Sequence, residues 1–147
     1  MTEPRKYPPR PIPGVGVVVR KDDAILLIRR GSPPRRGEWG IPGGAVEIGE
    51  TWRDAARREV REECSIEIEL GEIVEATDII VRDGAGRAQY HFAIVDFAAT
   101  YVSGEVRAAS DVLDARWVLF GELENFALSE RTRAVIEKAI RPTTGDR

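Results

Sequence analysis

Three carboxylates crowd one short stretch of the chain: Glu59, Glu62 and Glu63 in Arg58-Glu59-Val60-Arg61-Glu62-Glu63. On a helix, at about 100° per residue, all three project within an arc of about 100°. Like charges so placed repel one another by a few tenths of a kcal/mol per pair. They also lie in the middle and later turns of the expected helix, where its dipole disfavours negative charge. Ala55 and Ala56 fall on the same side, and small side chains let a helix approach a neighbour closely. Carboxylates at a close-packed edge call for a counter-charge. A hard divalent cation with oxygen ligands supplies it. An isolated Glu pair would read as a solvated face, with Arg58–Glu62 as an i,i+4 partner. The residues before the helix weigh against that reading.

Those residues are Gly43-Gly44, then Glu47 and Gly49-Glu50. Tight glycine backbone beside a cation can offer carbonyl oxygens. The full pattern runs Gly44, five residues, Glu50, seven residues, Arg58-Glu59, two residues, Glu62-Glu63. At the chain's own Gly, Glu and Arg frequencies, these six positions match by chance with probability about 2 × 10⁻⁴ over the chain. The pattern resembles the Nudix box of the Nudix hydrolases, and Trp39-Gly40-Ile41-Pro42 resembles the segment that leads into it. One position departs: Ser65 stands where the family usually has Gly, a residue suited to a left-handed helix cap. No ligand is lost by that change. Cys64 reads as a small buried side chain and not a nucleophile, since His91, the one histidine, is far along the chain.

The resemblance implies hydrolysis of a nucleoside diphosphate linked to another moiety, by attack of water on one phosphorus, with Mg²⁺ as cofactor and Mn²⁺ as a substitute. It implies Glu59 and Glu63 as primary metal ligands. Glu62 becomes a further ligand or the base for the attacking water, and the Gly43 carbonyl an added ligand. Arg58 would orient Glu59 through charge-assisted bonds, and Glu50 would support it from the loop. A base outside the box is also known in the family, which makes Asp111 and Asp114 candidates and Glu105 a weaker one. The opening YPPRPIPGVGVVVR and the spacing to LDARWV resemble small bacterial members named ADP-ribose pyrophosphatases. This implies ADP-ribose going to AMP and ribose 5-phosphate. The alternatives are a house-cleaning pyrophosphohydrolase of modified nucleoside triphosphates and a non-catalytic nucleotide-binding module. Arg30 and Arg36 would supply charge for phosphate, and Trp39 a face for a base. Trp117 is a second stacking candidate, although core packing is the commoner fate of such tryptophans.

These residues need a scaffold. The 147 residues suit one domain, with 42% hydrophobic and 32% charged residues. A net charge of −3 argues against nucleic acid as the partner. One cysteine excludes an internal disulfide. No apolar run is long enough to span a membrane, and the N-terminus lacks the apolar region of a secretion signal. A cytoplasmic α/β protein is expected. Residues 1–13 read as an extended, proline-rich lead-in, 14–141 as a single domain, and 142–147 as a tail. Gly14–Arg20 and Ala24–Arg30 read as a hairpin. Gly31–Gly44 reads as a long functional loop. Thr51–Cys64 is a predicted helix with Thr51 as cap and Asp54 three residues on. Ile66–Arg82, Arg87–Thr100 and Leu113–Phe120 read as strands. A last helix is predicted over Glu130–Ile140, capped by Ser129. By the resemblance, this is a mixed sheet between helices, an α/β/α sandwich. Its sheet edges and the proline-rich N-terminus are candidate surfaces for a homodimer.

Overall fold

The first strand, β1 (Ile12–Lys21), is buried without a break over residues 14–19. Such a run requires a covering layer on each face of the sheet. The computed structural model, which describes residues 5–141, supplies both. Val15, Val17 and Val19 face α1 (Trp52–Cys64) in one apolar cluster. Val18 faces α2 (Glu130–Ile140) in the other. The fold is the expected mixed sheet between helices.

The remaining strands are β2 (Ala24–Arg30), β3 (Trp39–Gly40), β4 (Gly43–Ala45), β5 (Glu67–Arg82), β6 (Ala88–Ser103) and β7 (Val112–Leu119). β1 runs parallel to β6, and every other pairing is antiparallel. β1 and β2 touch only near their turn, at Arg20–Ile25 and Lys21–Ala24. Where they splay apart, β4 pairs with Gly14–Gly16 and β3 with Ile28–Arg29. The loop read over Gly31–Gly44 therefore holds two short strands. They form because partners from elsewhere in the chain offer free edges. β1 begins at Ile12, so its ladder takes in the end of the stretch read as lead-in. A 3₁₀ turn, Phe120–Asn125, was not foreseen. The tail read at 142–147 and the first four residues lie outside the described residues.

The helix carrying the carboxylates is specified locally. The Thr51 hydroxyl accepts the Asp54 N–H at 3.0 Å. Ala55, Ala56, Val60 and Cys64 are fully buried against the sheet. The helix ends at Ser65, which has φ 68° and ψ 26° and donates its N–H to the Arg61 carbonyl at 3.0 Å. A side chain in this left-handed conformation is strained, and glycine is not. Ser65→Gly should therefore raise stability by about 0.5–1 kcal/mol. Calorimetry should show Tm higher by roughly 2–4 °C.

Two peripheral features also bear on the site. The Tyr7 N–H bonds the Gln89 carbonyl at 2.7 Å, and the Tyr7 hydroxyl bonds Asp83 at 2.7 Å. With Arg87 over the Tyr7 ring, this clasp lays the N-terminal segment across the β5–β6 hairpin. β5 is the outer strand of the sheet and carries Glu67, Glu69, Glu72, Glu75 and Asp78 along its length.

Candidate active site

A cleft of about 340 Å³ opens beside β4. Gly14 and Gly16 of β1 and Phe92, Ile94 and Asp96 of β6 line it. So do the box residues Gly43, Gly44, Glu59, Glu62 and Glu63, together with Arg30, Arg35 and Asp111. Gly44 is closely approached: a Cβ there would displace the Glu59 carboxylate.

Arg58 organises the acidic wall. Its Nε and Nη2 fork onto Glu50 at 2.6 and 2.9 Å. Nη1 reaches Glu59 at 3.1 Å and Glu62 at 3.0 Å, and Nη2 also bonds the Ala45 carbonyl at 3.0 Å. One guanidinium thus ties the loop to the helix through bidentate, charge-assisted bonds. It holds the Glu50 carboxyl below its ordinary range. Glu59 is pushed up by burial, against the pull of Arg58.

Glu63 is 7% exposed and accepts the Gly43 N–H at 3.0 Å. Burial first, then the facing Glu59 charge, push its carboxyl up to about 8. Two poorly solvated carboxylates, Glu59 and Glu63, therefore stand beside Gly43-Gly44, where they and the backbone carbonyls offer oxygen ligands. This donor set suits Mg²⁺ or Mn²⁺. Among the described residues, no three acidic, histidine or cysteine side chains converge into a ready-made cage. Glu62 is bonded to Arg58 and Glu63 to the Gly43 N–H.

The raised Glu63 value has a consequence for the metal-free protein. A carboxyl that titrates near 8 when folded and near 4.5 when unfolded binds more proton in the folded state between those limits. Its contribution to stability is present below about pH 4.5 and is lost as pH rises toward 8. In EDTA, Tm should fall from pH 5 to pH 8, and Glu63→Gln should flatten that slope. An unchanged slope in the variant would assign it to another group.

The other anticipated residues divide. Arg30 lines the cleft, and among the described residues no acceptor lies within hydrogen-bond distance of its guanidinium. Asp111 also lines the cleft and accepts the Ser32 hydroxyl at 2.6 Å. Asp114 is instead engaged by Arg116 and Glu105 by Arg107. Arg36 turns back to the Gly31 carbonyl and does not line the cleft. Trp39 also lies off the cleft wall. Its ring packs edge-on against Phe126, with Arg116 above it. Trp117 packs edge-on against Tyr101. Cys64 is fully buried, its thiol pushed up to about 12 by burial.

Two cleft residues had escaped the sequence reading. Asp96 is fully buried and ion-paired to Arg131 of α2 at 3.0 Å. A lone acid inside the apolar run Ala93-Ile94-Val95-Asp96-Phe97 was the available signal. Gly16 makes room for it, since a Cβ there would meet Asp96 Oδ1.

This arrangement matches known proteins. The NUDIX domain model matches residues 10–139. The ADP-ribose pyrophosphatase of Methanocaldococcus jannaschii is 31% identical over 117 residues, covering 80% of this chain and 67% of that protein. The nucleoside triphosphatase NudI of Escherichia coli K12 is 33% identical over 129 residues, covering 81% and 89%. The crystal structure of a MutT Nudix hydrolase from Burkholderia pseudomallei superposes with TM-score 0.75 at 30% identity, covering 88% of this chain and 98% of that one. A helix of carboxylates gathered by one arginine, set beside a glycine strand in this mixed sheet and matched along nearly the whole chain, places the protein in the Nudix hydrolase family.

Proposed function

We propose that this chain hydrolyses the pyrophosphate bond of a nucleoside diphosphate derivative, with ADP-ribose as the leading substrate, giving AMP and ribose 5-phosphate. The observation that carries the reading is one cleft lined by both kinds of charge. Glu59 and Glu63 line it together with Arg30, whose guanidinium has no hydrogen-bond acceptor among the described residues. A pyrophosphate needs both, because its own charge repels the nucleophile and must be neutralised.

Glu59 and Glu63 would hold the divalent cation, Mg²⁺ with Mn²⁺ as substitute, joined by Glu62 and the Gly43 carbonyl. When bound, the cation offsets charge on the phosphate oxygens and lowers the pKa of a coordinated water. The chain's own residues do the rest. Arg30 binds phosphate oxygens, assisted by Arg35, which also lines the cleft and pairs with Glu38. Arg58 holds Glu59 and Glu50 in place and lets Gly44 pack close. Asp111, steadied by Ser32, takes the proton of the attacking water, and Glu62 is the second candidate for that role. Oxygen from water bonds to one phosphorus, the bridging P–O bond breaks, and the leaving phosphate departs as an anion. Arg36 and Trp39 take no part in this reading.

A second reading keeps the chemistry and changes the substrate to a nucleoside triphosphate. It is favoured by the NudI similarity, which covers more of that relative than the pyrophosphatase match does. A panel decides: ADP-ribose, other nucleoside diphosphate sugars, dinucleotides and modified triphosphates, each with Mg²⁺ and then with EDTA. Metal-dependent release of AMP from ADP-ribose is the expected result. Cleavage of triphosphates alone would move the substrate to the second reading. Nucleotide binding without turnover of any compound would overturn catalysis itself.

A further inference from the structure

Arg131 is placed where a guanidinium is electrostatically expensive. It lies in the first turn of α2, whose dipole disfavours a cation there. It lines the cleft near Arg30, close enough for its positive charge to act on that second guanidinium. Among the described residues the one carboxylate bonded to it is Asp96, and both Asp96 oxygens lie on the same nitrogen, Nη2, at 3.0 and 3.3 Å. Arg131 Nε is buried and has no hydrogen-bond partner among the described residues. A buried donor left unmade is costly. Arg30 also feels Glu63, but the Arg131 side chain, 23% exposed, lines the same cleft with donors that Asp96 does not take up. A planar, always-charged fork of this kind fits tetrahedral phosphate oxygens.

We propose that Arg131 binds a phosphate of the substrate together with Arg30, and that Asp96 is the positioning residue that presents it. The inference rests on the pyrophosphohydrolase reading of this cleft, though not on the choice of ADP-ribose. A role confined to anchoring α2 would explain the Asp96 pair. It would not explain the unmet donor or the second guanidinium.

The test is titration calorimetry with inorganic pyrophosphate and, separately, adenosine, in EDTA, on the wild type, Arg131→Met, Arg131→Lys and Asp96→Asn. Tm is recorded for each. The wild type should bind pyrophosphate. Arg131→Met should weaken that binding about 10- to 100-fold, the loss of hydrogen bonds to a charged group. Arg131→Lys should recover part of the loss, since it keeps the charge and a bond to Asp96 without the fork. Asp96→Asn should weaken pyrophosphate binding with Arg131 still present. Adenosine binding should be unchanged throughout. Undetectable pyrophosphate binding by the wild type, or equal binding by Arg131→Met, overturns the proposal. So does a parallel loss of both ligands that follows Tm, which would leave Arg131 as an anchor of α2. A loss confined to adenosine would make Arg131 a reader of the base and would also overturn it. Failure of ADP-ribose in the substrate panel, with this pyrophosphate pattern intact, would sink the substrate assignment and leave Arg131 in place.

Discussion

Glu59→Gln and Glu63→Gln should each lower kcat by about 10³-fold or more. A divalent cation contributes several kcal/mol to stabilising transition-state charge, and each ~1.4 kcal/mol is tenfold in rate. Both substitutions keep the side-chain shape and remove one charge from a crowded wall. The fold should survive. In Glu63→Gln the Gly43 N–H still finds an amide oxygen, and the cost of ionising a buried carboxyl at higher pH is gone. Single-turnover rates beside circular-dichroism melts separate loss of chemistry from loss of structure. Wild-type kcat in either variant would remove that residue from the cation site. Gly44→Ala should act in the same direction without touching a ligand, because the new methyl would displace the Glu59 carboxylate.

Arg58→Met should damage both stability and turnover. Glu50 and Glu59 are only 14% and 12% exposed, and Arg58 is their shared partner. Removing it strands two poorly solvated carboxylates and frees the loop at Ala45. Breaking a buried pair of this kind costs about 3–5 kcal/mol. The partial exposure of Arg58, 19%, points to the lower end of that range. For a chain of this length Tm should fall by roughly 6–12 °C. Arg58→Lys should restore little, since an ammonium cannot span Glu50 and Glu59 in one plane. A Tm within about 2 °C of wild type would show that the hub is not structural.

The contrast between Arg58 and Arg131 shows what a linear reading can reach. Arg58, Glu59, Glu62 and Glu63 are neighbours on one helix, and Glu50 precedes it by a short loop. Helical periodicity and a capping threonine were enough to place them on one side. Arg131 meets Asp96 across 35 residues, through a sheet and a helix that pack together only in the folded chain. Nothing local at either position encodes the pairing. Trp39 and Arg36 mark the same limit from the other side. Their types suited a nucleotide, but the path of the 31–44 segment depends on the edges that β1 and β2 offer to β4 and β3. That path turns the Trp39 ring to Phe126 and Arg36 to the Gly31 carbonyl. Ser65 was legible in part: the family glycine position pointed to a left-handed cap, which its backbone adopts, but the sequence left a different helix end open.

The row of acids along β5 bears on self-assembly. Its backbone is a long, open template to which another strand could add. A second copy docking there would bring two such rows to within about 5 Å of each other. Glu67 pairs with Arg61 and Glu75 with Lys138, but Glu69, Glu72 and Asp78 still oppose that approach, even though Ile73 and Ile80 are exposed along the same strand. Such charges act against edge-to-edge sheet growth, the role that lysines and prolines often fill on other edge strands. The protection is coulombic, so it weakens as salt screens the carboxylates and disappears in acid strong enough to neutralise them.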